Sequence, residues 1–148
     1  MTDMLKDKKC LPCEGGVDPI NEKDAKQLLT NLHPDWRLSN DKEIIRTFKL
    51  KNHYEVMSLV NMIAWISNTE DHHPSIRYEY STVEVTYKTN AIDGLSENDF
   101  ICASKIDYCF KNKISFLAGN ACESVSESRY PISPFNGTPK AILDTLIS

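Results

Sequence analysis

Beginning at Ala25, apolar residues recur at Leu28, Leu29 and Leu32, the three- and four-residue spacing of one helical face. Asn21 can cap that helix, Glu22 and Asp24 suit its first turn, and Pro34 ends it. "WRL" and "EIIRTFKL" follow, parted by the turn-prone "SNDK", and predict a hairpin with one exposed face. From about Asn52 into the sixties, Val56, Leu59, Val60, Ile63 and Ala64 return to helical spacing and predict a second helix with one buried face. "SNTED" closes it. Two strands are expected next, over 75–80 and 82–89. In the second, Val83, Val85 and Tyr87 alternate with Thr82, Glu84, Thr86 and Lys88, so one face is buried and the other polar. "LSENDF" opens a third helix. Ser96 takes the cap and Asp99 the place of the capping-box acid, while Ile101, Ala103, Ile106 and Phe110 are expected core contacts.

This order, α-β-β-α-β-β-α, predicts an α+β fold: a four-stranded antiparallel sheet with three helices on one face. Residues 1–20 read as an irregular lead-in and 21–110 as the folded domain. Residues 111–148 read as a C-terminal extension, because "SVSESRYPISPFNGTPK" is loop-like and only "KAILDTLIS" regains a helical pattern.

At 148 residues the chain amounts to one domain with room for a tail. Its net charge of −4 argues against a nucleic-acid binder working through a broad basic face. No apolar run nears the roughly 18 residues of a membrane span, and charges occupy the place of a signal peptide's apolar centre. Five cysteines make no tidy disulfide framework, so a cytoplasmic protein with reduced thiols is expected, with neither membrane nor nucleic-acid partner. Cys10 and Cys13 form one C-x-x-C, half of a zinc site or a redox pair. No second pair follows, and Cys102, Cys109 and Cys122 stand isolated. A cysteine-containing turn packed on the domain is the preferred reading, with no metal.

Two of the four histidines are adjacent, His72 and His73, ahead of Pro74. The proline pushes His73 toward an extended geometry, in which neighbouring side chains point to opposite sides. Such a pair is poorly placed to share one metal. His33 and His53 sit at helix ends and offer no obvious further ligands. Neither G-x-S-x-G, a Walker loop nor G-x-G-x-x-G occurs. Two readings stay open: polar hydrogen bonding around a helix end, or acid–base chemistry, for which imidazole has a pKa suited to cellular pH.

"HHPSIRYEYSTVEVTYKTNAIDGLSENDF" resembles the pterin-4a-carbinolamine dehydratase family. His72-His73-Pro74, Tyr80 and Asp99 fall at the positions of that family's signature, "GLSENDF" fits the start of its last helix, and "KKCLPCEGG" looks like the leader of some bacterial-type members. The likeness covers residues from about 8 to 110. Two positions depart from it: Asn90 stands where the pattern has a third histidine, and Asn68 where an acidic residue is common. The resemblance implies loss of water from a 4a-hydroxytetrahydropterin by a hydro-lyase that recycles tetrahydrobiopterin-type cofactors, needing no cofactor itself. It implies His72 as the acid–base group and His73 as the group that orients the pterin. Asp71, Lys88, Thr89, Asn90, Ala91 and Asp99 are implied in substrate binding. Asp99 and Tyr80 also have plain structural readings, as a helix cap and a sheet aromatic. A homodimer or homotetramer is implied as well. The alternative is a non-catalytic pterin- or protein-binding relative of the dimerisation-cofactor type.

Overall fold

Each helix begins where a side chain satisfies a backbone N–H that the first turn leaves without a partner. Asn21 Oδ1 accepts the Asp24 N–H at 2.9 Å, and Asn52 Oδ1 accepts that of Glu55 at 3.1 Å. Asp99 Oδ2 accepts the N–H of Ser96 at 2.8 Å. Contacts of this kind stabilise a helix by about 1 kcal/mol each. The structure, a computed structural model, describes residues 4–12 and 18–112. Helices α1 (Glu22–Leu29), α2 (His53–Glu70) and α3 (Glu97–Lys111) are interleaved with strands β1 (Arg37–Ser39), β2 (Glu43–Lys49), β3 (Ser75–Tyr78) and β4 (Thr82–Tyr87). Almost all of the expected C-terminal extension, and Cys13 with it, lies outside the described residues.

The four strands form one antiparallel sheet in the order β1-β2-β4-β3. Ile44 pairs with Tyr87 and Phe48 with Val83, so Ile44, Arg46 and Phe48 share an inward face with Val83, Val85 and Tyr87. Val56, Leu59, Met62, Ile63 and Ile66 of α2 join Phe100, Ile101, Ala103 and Ile106 of α3 in the core against it. Burying each large side chain of this kind contributes about 1.5–3 kcal/mol. The expected α+β architecture is the observed one.

Several details differ from the expected pattern. Helix α1 stops at Leu29. The Thr30 hydroxyl donates to Gln27 O at 2.7 Å, and the N–H groups of Asn31 and Leu32 reach only three residues back, a tightened last turn. Leu32 is still buried. On α2, Ala64 is exposed while Met62 and Ile66 are buried. The buried stripe then runs on to the polar Ser67 and Glu70. Tyr80 lies in the β3–β4 turn, which the Glu79 N–H closes by donating to Thr82 O at 2.9 Å, and is 70% exposed. Its ring stacks on His53 rather than on the sheet.

Part of the lead-in belongs to the core. A 3-10 turn at Leu5–Asp7 lies against α3, with Leu5 buried. The Leu11 N–H donates to Asn98 Oδ1 at 3.1 Å, and Asn98 Nδ2 donates back to Leu11 O at 2.7 Å. The Cys10 N–H donates to Glu70 Oε2 at 2.9 Å, and Lys105 Nζ meets the other Glu70 oxygen at 2.6 Å. This pair is almost completely enclosed (2% and 3% exposed side chains) and pins α3 to the last residue of α2. Gly94 fits closely against Pro19, since a Cβ there would stand 2.6 Å from Pro19 Cβ.

Candidate active site at the end of the second helix

Helix α2 ends in a reversal that turns its next residue inward. Asp71 adopts the left-handed conformation (φ 52°), which Asp tolerates better than most residues. Its N–H and that of His72 both donate to Ser67 O, closing the helix end. His72 is thereby buried, its ring parallel to that of Tyr87 (centroids 5.7 Å apart, planes within 9°). Tyr87 is fully buried, and that burial pushes its phenol well above the ordinary pKa.

His72 Nε2 lies 2.7 Å from Oδ1 of Asp99, which is completely enclosed. The other carboxylate oxygen accepts the Thr89 hydroxyl and the Ser96 N–H, both at 2.8 Å. The Thr89 and Ser96 hydroxyls are themselves 2.7 Å apart. Both oxygens are thus partnered, as a buried carboxylate requires. Asp99 is an acceptor here, so the ring presents an N–H at Nε2. A carboxylate on one ring nitrogen fixes the tautomer and orientation of an imidazole.

His73 points the other way, as Pro74 predicts. It is exposed, and its Nε2 sits 3.4 Å from Asn68 Oδ1, a weak contact. It lines a cavity of about 230 Å³ on the outer face of the sheet, together with Pro74 and Ser75. Thr86 and Lys88 of the β4 side, Asn90 beyond it and Glu43 of β2 complete the wall. Lys88 Nζ is held by Asp93 Oδ1 at 2.6 Å, and Lys42 bonds the other oxygen. These two ammonium groups, Lys42 foremost, bring the Asp93 carboxyl down to about 2.

The expected site residues therefore separate into three groups. His73, Lys88 and Asn90 line the cavity. His72, Thr89 and Asp99 form a separate buried network. Asp71 and Ala91 are exposed and belong to neither. Glu43, Ser75 and Thr86 were not foreseen from sequence. Thr86 had a signal, since it shares the polar side of β4 with Lys88, whereas Glu43 needs knowledge that β2 pairs with β4.

The lead-in brings one more group close. Cys10 Sγ lies 3.6 Å from Cys102 Sγ, so Cys102 is not isolated. The hydrogen bond to Cys102, then burial, pushes the Cys10 thiol up. Among the described residues, no group of three or more His, Cys, Asp or Glu side chains is arranged to hold a metal ion. A larger hollow of about 1650 Å³ opens between the lead-in and the ends of α2 and α3. It contains none of the expected site residues, whereas His73, Lys88 and Asn90 line the smaller cavity.

A family model described as pterin 4 alpha carbinolamine dehydratase matches residues 18–109. A Nitrosomonas europaea protein named "Putative pterin-4-alpha-carbinolamine dehydratase" is 53% identical over 108 residues, 73% of this chain and 95% of that protein. A Legionella pneumophila (strain Corby) protein of the same name is 46% identical over 108 residues, covering 72% and 96%. A crystal structure described as a transcriptional coactivator/pterin dehydratase from Brucella melitensis superposes with a TM-score of 0.58 at 26% identity, over 62% of this chain and 97% of that one.

Proposed function

We propose a function from one premise: the chain belongs to the pterin 4 alpha carbinolamine dehydratase family. The family and the names of its relatives support a pterin dehydratase, a lyase. The reaction assigned to this chain is loss of water from a 4a-hydroxytetrahydropterin, giving a quinonoid dihydropterin. The departing C4a hydroxyl needs a proton, and the N5 proton needs a base. Because the N5 lone pair already pushes the hydroxyl out, positioned imidazoles suffice without a metal, and such acid–base catalysis is worth about 10²–10⁴-fold.

The observation that carries the assignment is the buried His72–Asp99 contact; the residue next in the chain, His73, lines a cavity with Lys88 and Asn90. His72 is the proton-transferring group in this proposal, oriented by Asp99, with Thr89 holding the carboxylate. His72 keeps 6% of its surface exposed. His73 and Asn90 hold the ring from the cavity wall and Lys88 faces its carbonyl side, while Asp71 and Ala91, exposed outside the cavity lining, have a part in binding only by the family resemblance.

Steady-state kinetics of His72→Ala and His73→Ala test the division of labour. His72→Ala is expected to lower kcat by about 10²–10⁴ with KM little changed. His73→Ala is expected to act mainly on KM. The reverse pattern moves proton transfer to His73, and two unaffected variants end the assignment.

Asn90 favours one second reading. Its amide can hydrogen-bond a pterin but cannot shuttle a proton near neutrality, which suits a pterin- or protein-binding relative with little or no turnover. Assembly into a homodimer or homotetramer is part of the proposal, supported by the half-exposed Tyr78 on edge strand β3. So is a cytoplasmic role in recycling a tetrahydrobiopterin-type cofactor. No helix among the described residues is long and apolar enough to cross a membrane.

A further inference from the structure

The geometry points to Glu43 as the residue that anchors the 2-amino and N3–H edge of the pterin. This inference rests on the proposed pterin site and adds its binding polarity.

Glu43 is half-buried on the cavity wall and makes no side-chain hydrogen bond or ion pair with any described residue. It is the single carboxylate among the described residues of that wall. The remaining polar lining is rich in donors: the Lys88 ammonium, the Ser75 and Thr86 hydroxyls, the Asn90 amide and the His73 ring. A pterin carries two unlike edges. The 4-oxo side accepts hydrogen bonds, while the 2-amino group and N3–H donate two in parallel. An ionised carboxylate accepts two parallel N–H bonds, as it does from a guanidinium fork. Glu43 meets that need.

The register supplies the orientation. Thr86 pairs with Ile45 on one side and with Ser75 on the other. Continuing both ladders by two residues puts Glu43, Lys88 and His73 in one row across the outer face, with Lys88 in the middle. Strands two apart in a sheet lie about 10 Å from each other, a span suited to a bicyclic ring and its hydrogen bonds. Within the pyrimidine ring, C2 and C4a are opposite each other. A carboxylate on β2 that holds the 2-amino group therefore aims C4a, the carbon that loses hydroxide, at the histidine wall.

Binding of 6-methyl-7,8-dihydropterin and of its 2-desamino analogue to wild type, Glu43→Gln and Glu43→Ala tests this, with urea unfolding as the folding check. Glu43→Ala is expected to weaken dihydropterin binding by about 10- to 100-fold, the worth of hydrogen bonds to a charged group. Glu43→Gln falls between it and wild type. The 2-desamino analogue should bind wild type and Glu43→Ala with much closer affinities. In turnover, both variants should raise KM more than they lower kcat. Equal losses for the two ligands, or no loss for either, overturn the assignment of Glu43 alone. Wild type that binds dihydropterin through Glu43 without dehydrating its substrate supports the anchor and removes the catalytic reading. Wild type that binds neither ligand overturns both.

Discussion

Removing the Asp99 carboxylate should separate its structural from its chemical part. In Asp99→Ala, the His72 Nε2 and the Ser96 N–H lose their acceptor, while the Thr89 and Ser96 hydroxyls keep each other. A buried polar group left without a partner costs about 1–3 kcal/mol, so the two together predict a loss of about 2–6 kcal/mol. That is a large share of the about 5–15 kcal/mol by which domains are stable. Asp99→Asn is different. Its carbonyl oxygen can still accept from Ser96 and Thr89, but its NH₂ then faces the Nε2–H of His72, donor against donor. The ring must move its proton to Nδ1, and the expected cost is only about 1–2 kcal/mol. Turnover should nevertheless fall by about 10²-fold or more, because the tautomer is wrong for the proton step. Urea unfolding followed by circular dichroism gives the stabilities, and initial rates give the activities. An Asp99→Ala protein within 1 kcal/mol of wild type, or an Asn variant as unstable as the Ala one, would refute the reasoning.

Asn90 lies exposed on the cavity wall, so the larger ring of Asn90→His displaces no buried side chain and should raise turnover by about 10-fold or more; an unchanged or lower rate counts against a proton-handling role at that position. The Asp93 carboxyl should titrate near 2 by NMR, and Lys42→Ala should raise it more than Lys88→Ala. A carboxyl depressed from 3.8 adds stability that is present above about pH 4 and lost as pH falls through about 2, so wild type and Asp93→Asn should converge in acid. Lys105→Met leaves Glu70 enclosed with, among the described residues, only the Cys10 N–H and should destabilise by about 3–5 kcal/mol in urea, while Glu70→Leu/Lys105→Met should recover part of that loss.

The parts of the fold legible in the sequence were those governed by local chemistry. Asn21, Asn52 and the Ser96–Asp99 pair mark helix starts because a cap acts over three residues. Val83, Val85 and Tyr87 mark a buried strand face because a strand alternates sides. The end of α1 was harder, since Leu32 keeps the apolar spacing after the helix has tightened into a turn. Ala64 has the right chemistry for a core and the wrong angle around α2. At the site, Pro74 made the divergence of His72 and His73 readable. The partnership of His72 with Asp99 spans 27 residues and was not readable from spacing, because Asp99 already had a sufficient local reason to be there. Glu43 and Cys102 were hidden for a related reason: each acquires its neighbours only when β2 meets β4 or the lead-in crosses α3.

The most direct test of the account is the rate at which freshly generated 4a-hydroxytetrahydropterin disappears with and without the protein, followed by stopped-flow absorbance at neutral pH. The account predicts acceleration over the uncatalysed loss that scales with protein concentration and is abolished in His72→Ala. A well-folded wild-type protein that leaves the rate unchanged would contradict it, and would leave a pterin- or partner-binding relative without the chemistry.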